Sequence, residues 1–250
     1  MTKLTLFITK FAVAITIAIL FTSCRFNSNG FNIGPEVAGS GTITKETRPV
    51  DQKFTKIEVS HGIIVIVEQS NEKSIVVETD DNLQSLISTK IEEGVLIVKA
   101  EDSYNATNEG PIVFVKMPVI GGLFASSGST LKSLNTLISN DLEVKSSSGS
   151  TITISVEADA ITLKSSSGSS IKASGKALKL DAGASSGSTI DARNLMANDV
   201  NAQTSSGSNA NVAPILSLEA KASSGSSINY FKIPKTIVKK ESSGGSVSGN

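Results

Sequence analysis

The second half of the chain alternates apolar and polar residues with a period of two. Ile152-Thr-Ile154-Ser-Val156, Ile161-Thr-Leu163, Leu178-Lys-Leu180-Asp-Ala182 and Leu216-Ser-Leu218-Glu-Ala220 all place every second side chain on one face, as half-buried strands do. No stretch keeps a clean helical period. The alternation is punctuated by the tetrad Ser-Ser-Gly-Ser, or a near copy, seven times. Its glycines are Gly128, Gly149, Gly168, Gly187, Gly207, Gly225 and Gly244, at spacings of 21, 19, 19, 20, 18 and 19 residues. Regularity of this kind marks stacked structural units. Two positions hold their character through the repeats. Three residues after each glycine stand Leu131, Ile152, Ile171, Ile190, Ala210, Ile228 and Val247. Five residues before it stand Leu123, Val144, Leu163, Ala182, Ala202 and Ala220, with Lys239 the exception. A polar low-complexity linker would hold neither position.

Two or three strands of three to five residues with tight corners fill a coil of about 19 residues. The pattern therefore predicts an all-β fold, a single-stranded parallel β-helix (solenoid), each coil adding a layer ~4.8 Å above the last. Ser-Ser-Gly-Ser belongs at a corner, where glycine adopts positive φ freely and hydroxyls bond nearby backbone groups. Stacked corners align serines into ladders, which either shape the turn or offer hydroxyls to a glycan.

The first half is less regular. Strands are expected at Gly41–Thr47, Phe54–Ser60, Ile63–Glu68, Ser74–Thr79, Val95–Ala100 and Ile112–Met117. Leu83–Thr89 fits a short helix, and Leu86, Ile87 and Ile91 fit a strand equally well. No composition break separates this half from the repeats. Residues 40–120 are expected to be irregular opening coils that cap the stack, and residues 121–250 the repeats, together one head domain over 40–250.

The N-terminus has a different character. Lys3 and Lys10 precede the uncharged run Phe11–Thr22, whose 12 residues fall short of the ~20 a membrane-spanning helix needs. Residues 1–23 therefore fit a secretory signal peptide. The chain's single cysteine, Cys24, follows Leu20-Phe21-Thr22-Ser23, a stretch that resembles a bacterial lipobox. Cys24 is the expected lipidation site, with the bilayer as partner through its acyl chains. Residues 24–39 are rich in Asn and Gly and show no period, as a flexible tether would. The expected address is the cell envelope, lipid-anchored at the outer membrane.

Composition narrows the chemistry. Lys+Arg and Asp+Glu are equal at 23 each, and without residues 1–23 they are 21 and 23, so no basic excess points to nucleic acid. There are 40 Ser and 20 Gly, yet apolar residues still reach 39%, too many for a disordered chain. One Cys and one His exclude a disulfide within the chain, a thiolate-rich zinc site and a histidine pair. No nucleophile elbow, phosphate loop, dinucleotide fingerprint or zinc-protease motif occurs. His61, between Ser60 and Gly62, fits an exposed turn. Glu92-Glu93 before Gly94 fits a hairpin tip. Asp80-Asp81-Asn82 has calcium-type oxygen ligands without the spacing of a calcium loop. Counted forward from the repeat glycine, Asp141 and Asp181 share offset 13, Asp199 and Glu219 share 12, and Asp159 and Asp191 stand alone. Of these, Asp199 and Glu219 alone share an offset in adjacent coils, where a glycosidase pair on facing rungs would stand. Beyond Phe124 at their start, Tyr230 and Phe231 are the aromatics of the repeats.

The runs Gly39-Ser-Gly-Thr-Ile43, Arg48-Pro-Val-Asp-Gln-Lys-Phe54-Thr-Lys-Ile-Glu-Val-Ser-His-Gly62, Val76-Val-Glu-Thr-Asp-Asp-Asn-Leu83 and Thr89-Lys-Ile-Glu-Glu-Gly94-Val-Leu-Ile-Val98, followed by Ser-Gly repeats, resemble the GIN head domain of auto-transporter adhesins, a family common in Bacteroidetes lipoproteins. The resemblance spans about residues 40–245 and implies a stacked parallel β-helix. His61 occupies a spot often held by a small residue. The expected function is a non-enzymatic adhesion or scaffolding module with an envelope protein or glycan partner. It calls for no catalytic residue, metal or cofactor. A carbohydrate-binding module is the alternative, and a polysaccharide-active enzyme a further one.

Overall fold

Five long strands, Thr130–Ser146, Thr151–Ser165, Ser170–Ala184, Thr189–Thr204 and Asn209–Ala222, follow one another up the stack, each paired in parallel with the next. They belong to a 16-stranded sheet in a computed structural model that describes residues 36–107 and 110–249. The expected signal peptide 1–23, Cys24 and the tether up to residue 35 lie outside the described residues.

The two apolar positions of the repeat become two inward columns. Leu131, Ile152, Ile171, Ile190, Ala210, Ile228 and Val247 are register partners in turn. Leu123, Val144, Leu163, Ala182, Ala202, Ala220 and Lys239 form the second column. All of these but Lys239 are buried. Both columns continue into the first half, through Val65 and Val113 on one side and Ile57 and Leu96 on the other. The fold is thus a parallel β-solenoid with coils of about 19 residues.

The strands are longer than the expected three to five residues, because one corner of the coil needs no turn. In Thr151–Ser165, Ile152, Ile154 and Val156 point inward, and then Ile161, Leu163 and Ser165 do. Residues 157–160 carry the switch from even to odd positions, none of them buried. The chain bends there while the ladder to the next coil continues. Leu178 falls on the equivalent bend, and is 52% exposed although it alternates in step with buried Leu180 and Ala182.

The opening half is only partly a set of coils. Ser74–Asp80 pairs antiparallel with both Ile43–Arg48 and Ile112–Met117, and Ile87–Glu92 pairs antiparallel with Val95–Ala100. The last pair is joined at Glu93-Gly94, whose φ values of 49° and 78° suit a two-residue hairpin turn, and so short a loop permits only antiparallel neighbours. Asp81–Leu86 is a 3-10 turn, after which Ile87 enters its strand. Val37–Ala38, within the expected tether, pair with Tyr104–Asn105.

At the opposite end of the stack the inward column closes on a charge. Lys239 Nζ donates to the Val247 carbonyl at 3.1 Å and lies 4.8 Å from the Tyr230 ring centre. An inward-pointing lysine on an edge strand opposes coil-on-coil pairing with another chain.

Ile171 is fully buried between Ile152 and Ile190, while its neighbour Lys172 is exposed. Ile171→Asp should therefore cost several kcal/mol, on the order of the penalty for an unpaired buried charge, and loosen adjacent coils. Lys172→Glu should leave the thermal melt nearly unchanged. Equal melts for the two would contradict this register.

Candidate functional surfaces

Each Ser-Ser-Gly-Ser corner is a β-turn whose two central residues both have positive φ. The serines Ser127, Ser148, Ser167, Ser186, Ser206, Ser224 and Ser243 lie at 47–53°, and the glycines after them at 67–76°. Left-handed backbone is natural for glycine and uncommon for serine. The turn is held by its other two serines. At Ser166–Ser169, the Ser169 N–H donates to Ser166 O at 3.2 Å, and the Ser169 hydroxyl accepts the Ser166 N–H at 3.1 Å. The same buried hydroxyl donates to Ser146 O of the preceding coil at 2.7 Å. Ser129, Ser150, Ser188 and Ser208 make equivalent bonds to the coil before them. Gly168 N–H in turn donates to Ser186 O of the following coil. The serine ladder thus carries the corner's own hydrogen bonds.

His61 begins this ladder. His61 and Gly62 have φ of 63° and 72°, and Gly62 N–H donates to Ser127 O at 3.0 Å. The imidazole is exposed with Nδ1 2.7 Å from Ser60 Oγ, and Tyr104 Oη donates to the His61 carbonyl. No carboxylate bonds the ring among the described residues, so nothing orients it as a base.

Asp80-Asp81-Asn82 is a clasp. Asp80 is fully buried, and its carboxylate accepts from Thr107 Oγ1 at 2.7 Å, Gly41 N–H at 2.8 Å and Thr107 N–H at 3.2 Å. Asp81 bonds Ser40 Oγ, and Asn82 bonds Ser40 N–H and Ala38 O. These oxygens are spent in tying residues 38–42 and Thr107 to the body. Among the described residues no group of three His, Cys, Asp or Glu could hold a metal ion.

The acids take columns that forward counting misplaces, since coil length varies before the bend. Counting back from the next glycine restores the register. Asp181, Asn201 and Glu219 form one outward column; Asp141, Ala160, Lys179, Asp199 and Ser217 form another. Asp199 and Glu219, equal in forward count, are therefore in different columns. Asp159 stands beside Asn140 and Leu178 at the bend, and Asp191 is paired with Arg193 at 2.7 Å. The bond from Lys221 and the charges of Lys221 and Lys240 hold the Glu219 carboxyl below its usual value, the opposite of what a general acid needs. Tyr230 carries Lys239 and Phe231 carries Arg193 at 5.1 Å, so both rings face cations.

Two shallow grooves follow the stacking axis. One, of about 560 Å³, contains Lys179, Asp181, Asp199 and Glu219. The other, of about 770 Å³, runs between a lysine-bearing column and the first serines of the corners. That lysine column escaped the sequence reading, although lysine stands four residues before the glycine in four of the seven repeats. A separate exposed patch holds Ile138, Leu178, Met196 and Ile215.

The repeated serines serve the corners of the solenoid, and its outward columns present side chains in register along the stack. The family model described as "Putative auto-transporter adhesin, head GIN domain" matches residues 53–234, and the chain belongs to that family. Solved structures share the fold at low identity. A "putative adhesin" from Bacteroides fragilis aligns with a TM-score of 0.79 at 18% identity, over 86% of this chain and 100% of its own. A "putative adhesin" from Parabacteroides merdae gives 0.71 at 19%, over 86% and 99%. A "putative lipid binding protein" from Parabacteroides distasonis gives 0.69 at 15%, over 86% and 99%. No curated protein matches the sequence.

Two outcomes follow from these contacts. Ser169→Ala removes the hydroxyl that serves two coils and should cost about 1–3 kcal/mol by denaturant titration. The Thr107 hydroxyl, with the Gly41 and Thr107 N–H groups, holds the Asp80 carboxyl below its ordinary value. A lowered carboxylate contributes stability that is full above its unfolded pKa and lost as pH falls through the folded one. Asp80→Asn should therefore melt lower at neutral pH and lose less stability than wild type on acidification below about pH 4; parallel pH profiles would contradict the clasp.

Proposed function

We propose that the protein is a non-enzymatic adhesion or scaffolding module of the cell envelope, held at the outer membrane by acyl chains on Cys24. The adhesive part rests on membership of the adhesin head family, together with a solenoid that presents rigid outward columns. The absence of catalytic motifs in the sequence agrees with it. The anchor is supported by the lone cysteine standing where the apolar run Phe11–Thr22 stops. Each acyl chain contributes ~0.8 kcal/mol per buried CH₂, and two or more make a stable anchor. An envelope protein or glycan is the partner such a surface would meet, and the bilayer is the second partner.

A palmitate analogue fed to expressing cells should label the wild type and not Cys24→Ser; equal labelling would remove the anchor. Beads coated with the chain should be retained on immobilised envelope material, and beads no stickier than uncoated ones would remove the adhesive role.

A further inference from the structure

The larger groove has a composition that the fold does not require. Residues four before each glycine point outward in register: Lys145, Lys164, Gly183, Gln203, Lys221 and Lys240. Residues two before it, Ser147, Ser166, Ser185, Ser205, Ser223 and Ser242, form the facing wall. The residue between them turns inward, so the floor is backbone and small buried side chains such as Ala184, Thr204 and Ala222. The five intervals between the six rungs from Lys145 to Lys240 make a channel of roughly 24 Å at ~4.8 Å per interval.

Four observations constrain its occupant. The lining carries four lysines against one carboxylate, Glu241, whose Oε1 already accepts Val247 N–H at 2.6 Å. Lys145 pairs with Glu143, and Lys221 and Lys240 pair with Glu219 in the adjoining column, while Lys164 makes no ion pair among the described residues. The hydroxyls of Ser147, Ser166, Ser185 and Ser205 make no hydrogen bond within the described residues. The N–H groups of all six wall serines, from Ser147 to Ser242, are spent on carbonyls of the preceding coil.

The last point removes strand addition as a way for a peptide to bind here. A peptide added alongside would find no backbone edge to pair with, whereas a sugar chain brings its own hydroxyls and charges. At the centre, Gly183 and Gln203 interrupt the lysines. Gly183 has no side chain and an ordinary φ, and a Cβ there would approach nothing closer than Lys164 Cγ at 4.0 Å. The lysine wall therefore has a gap at Gly183, next to Lys164.

We propose that this groove binds an extended acidic polysaccharide, with its carboxylates or sulfates on the lysine column and its hydroxyls on the serine column. The assignment names a ligand for the adhesive role and rests on it. Recognition is by charge and hydroxyl, which suits a surface whose aromatics are covered by cations.

The test uses the full chain in mild detergent, with polygalacturonate, dextran sulfate and neutral dextran as probes in biolayer interferometry. At least one acidic polymer should bind above neutral dextran, more weakly at higher salt. The stronger of the two tells carboxylate from sulfate. Gly183→Glu and Lys164→Glu should each weaken that binding about tenfold or more, as a reversed charge does when its contact is used. Lys172→Glu, away from the groove, should match wild type. If Gly183→Glu melts abnormally, the exposed Lys164→Glu carries the comparison. Variants that bind like wild type, or acidic polymers no better than neutral dextran, would overturn the proposal. Coated beads still held by envelope material in that case would leave the adhesive role intact. Groove binding without bead retention would remove the adhesive role and keep the site.

Discussion

Everything in the stack depends on the corner where two successive residues take positive φ. Only glycine adopts that backbone without cost, and in this chain the partner position is a serine or, at the first corner, His61. The cost is offset because the turn is bonded in three directions. Its first and last serines close it, the last hydroxyl reaches the previous coil, and the glycine N–H reaches the next. A corner fixed in this way sets where each strand begins, and a shift of one residue would turn the Leu131–Val247 column outward.

That dependence makes the ends of the solenoid the difficult places, since a corner needs neighbours on both sides. Antiparallel ribbons cover the first coil, and the Asp80 clasp ties residues 38–42 and Thr107 over them. The other end uses a different device. Lys239 takes a position held by Leu, Val or Ala in the six preceding repeats, and its ammonium group finds a carbonyl and a ring face there. The exception in the repeat thus coincides with the coil that has no successor among the described residues.

The repeats were legible because period-two alternation and the glycine interval report directly on burial and on φ. Both inward columns, the corner and the hairpin at Glu93-Gly94 could be found from residue order alone. The bend within each coil could not, because it is made by a change of parity with no turn residue to mark it. Leu178 looks like core for that reason, and acids counted across the bend land in the wrong columns. The antiparallel cap was hidden for another reason. Its strands have the same apolar alternation as coils, and only loop length distinguishes the two pairings. Counting back from the glycine stays within one straight segment, and by that count the lysine column was readable.

The division of labour within a coil bears on what can vary. Inward positions are fixed by packing, and corner positions by backbone geometry and the bonds between coils. The outward side chains four and six before the glycine, and the serine hydroxyl two before it, have no structural duty beyond solubility. Positions four and two line one groove, and position six lines the other. Lysine at four of the six rungs from Lys145 to Lys240, with the smallest residue at a middle rung, is thus a choice the fold leaves open. It is on such free outward groups, rather than in the glycine and last serine that fix each corner, that a solenoid of this kind can carry specificity.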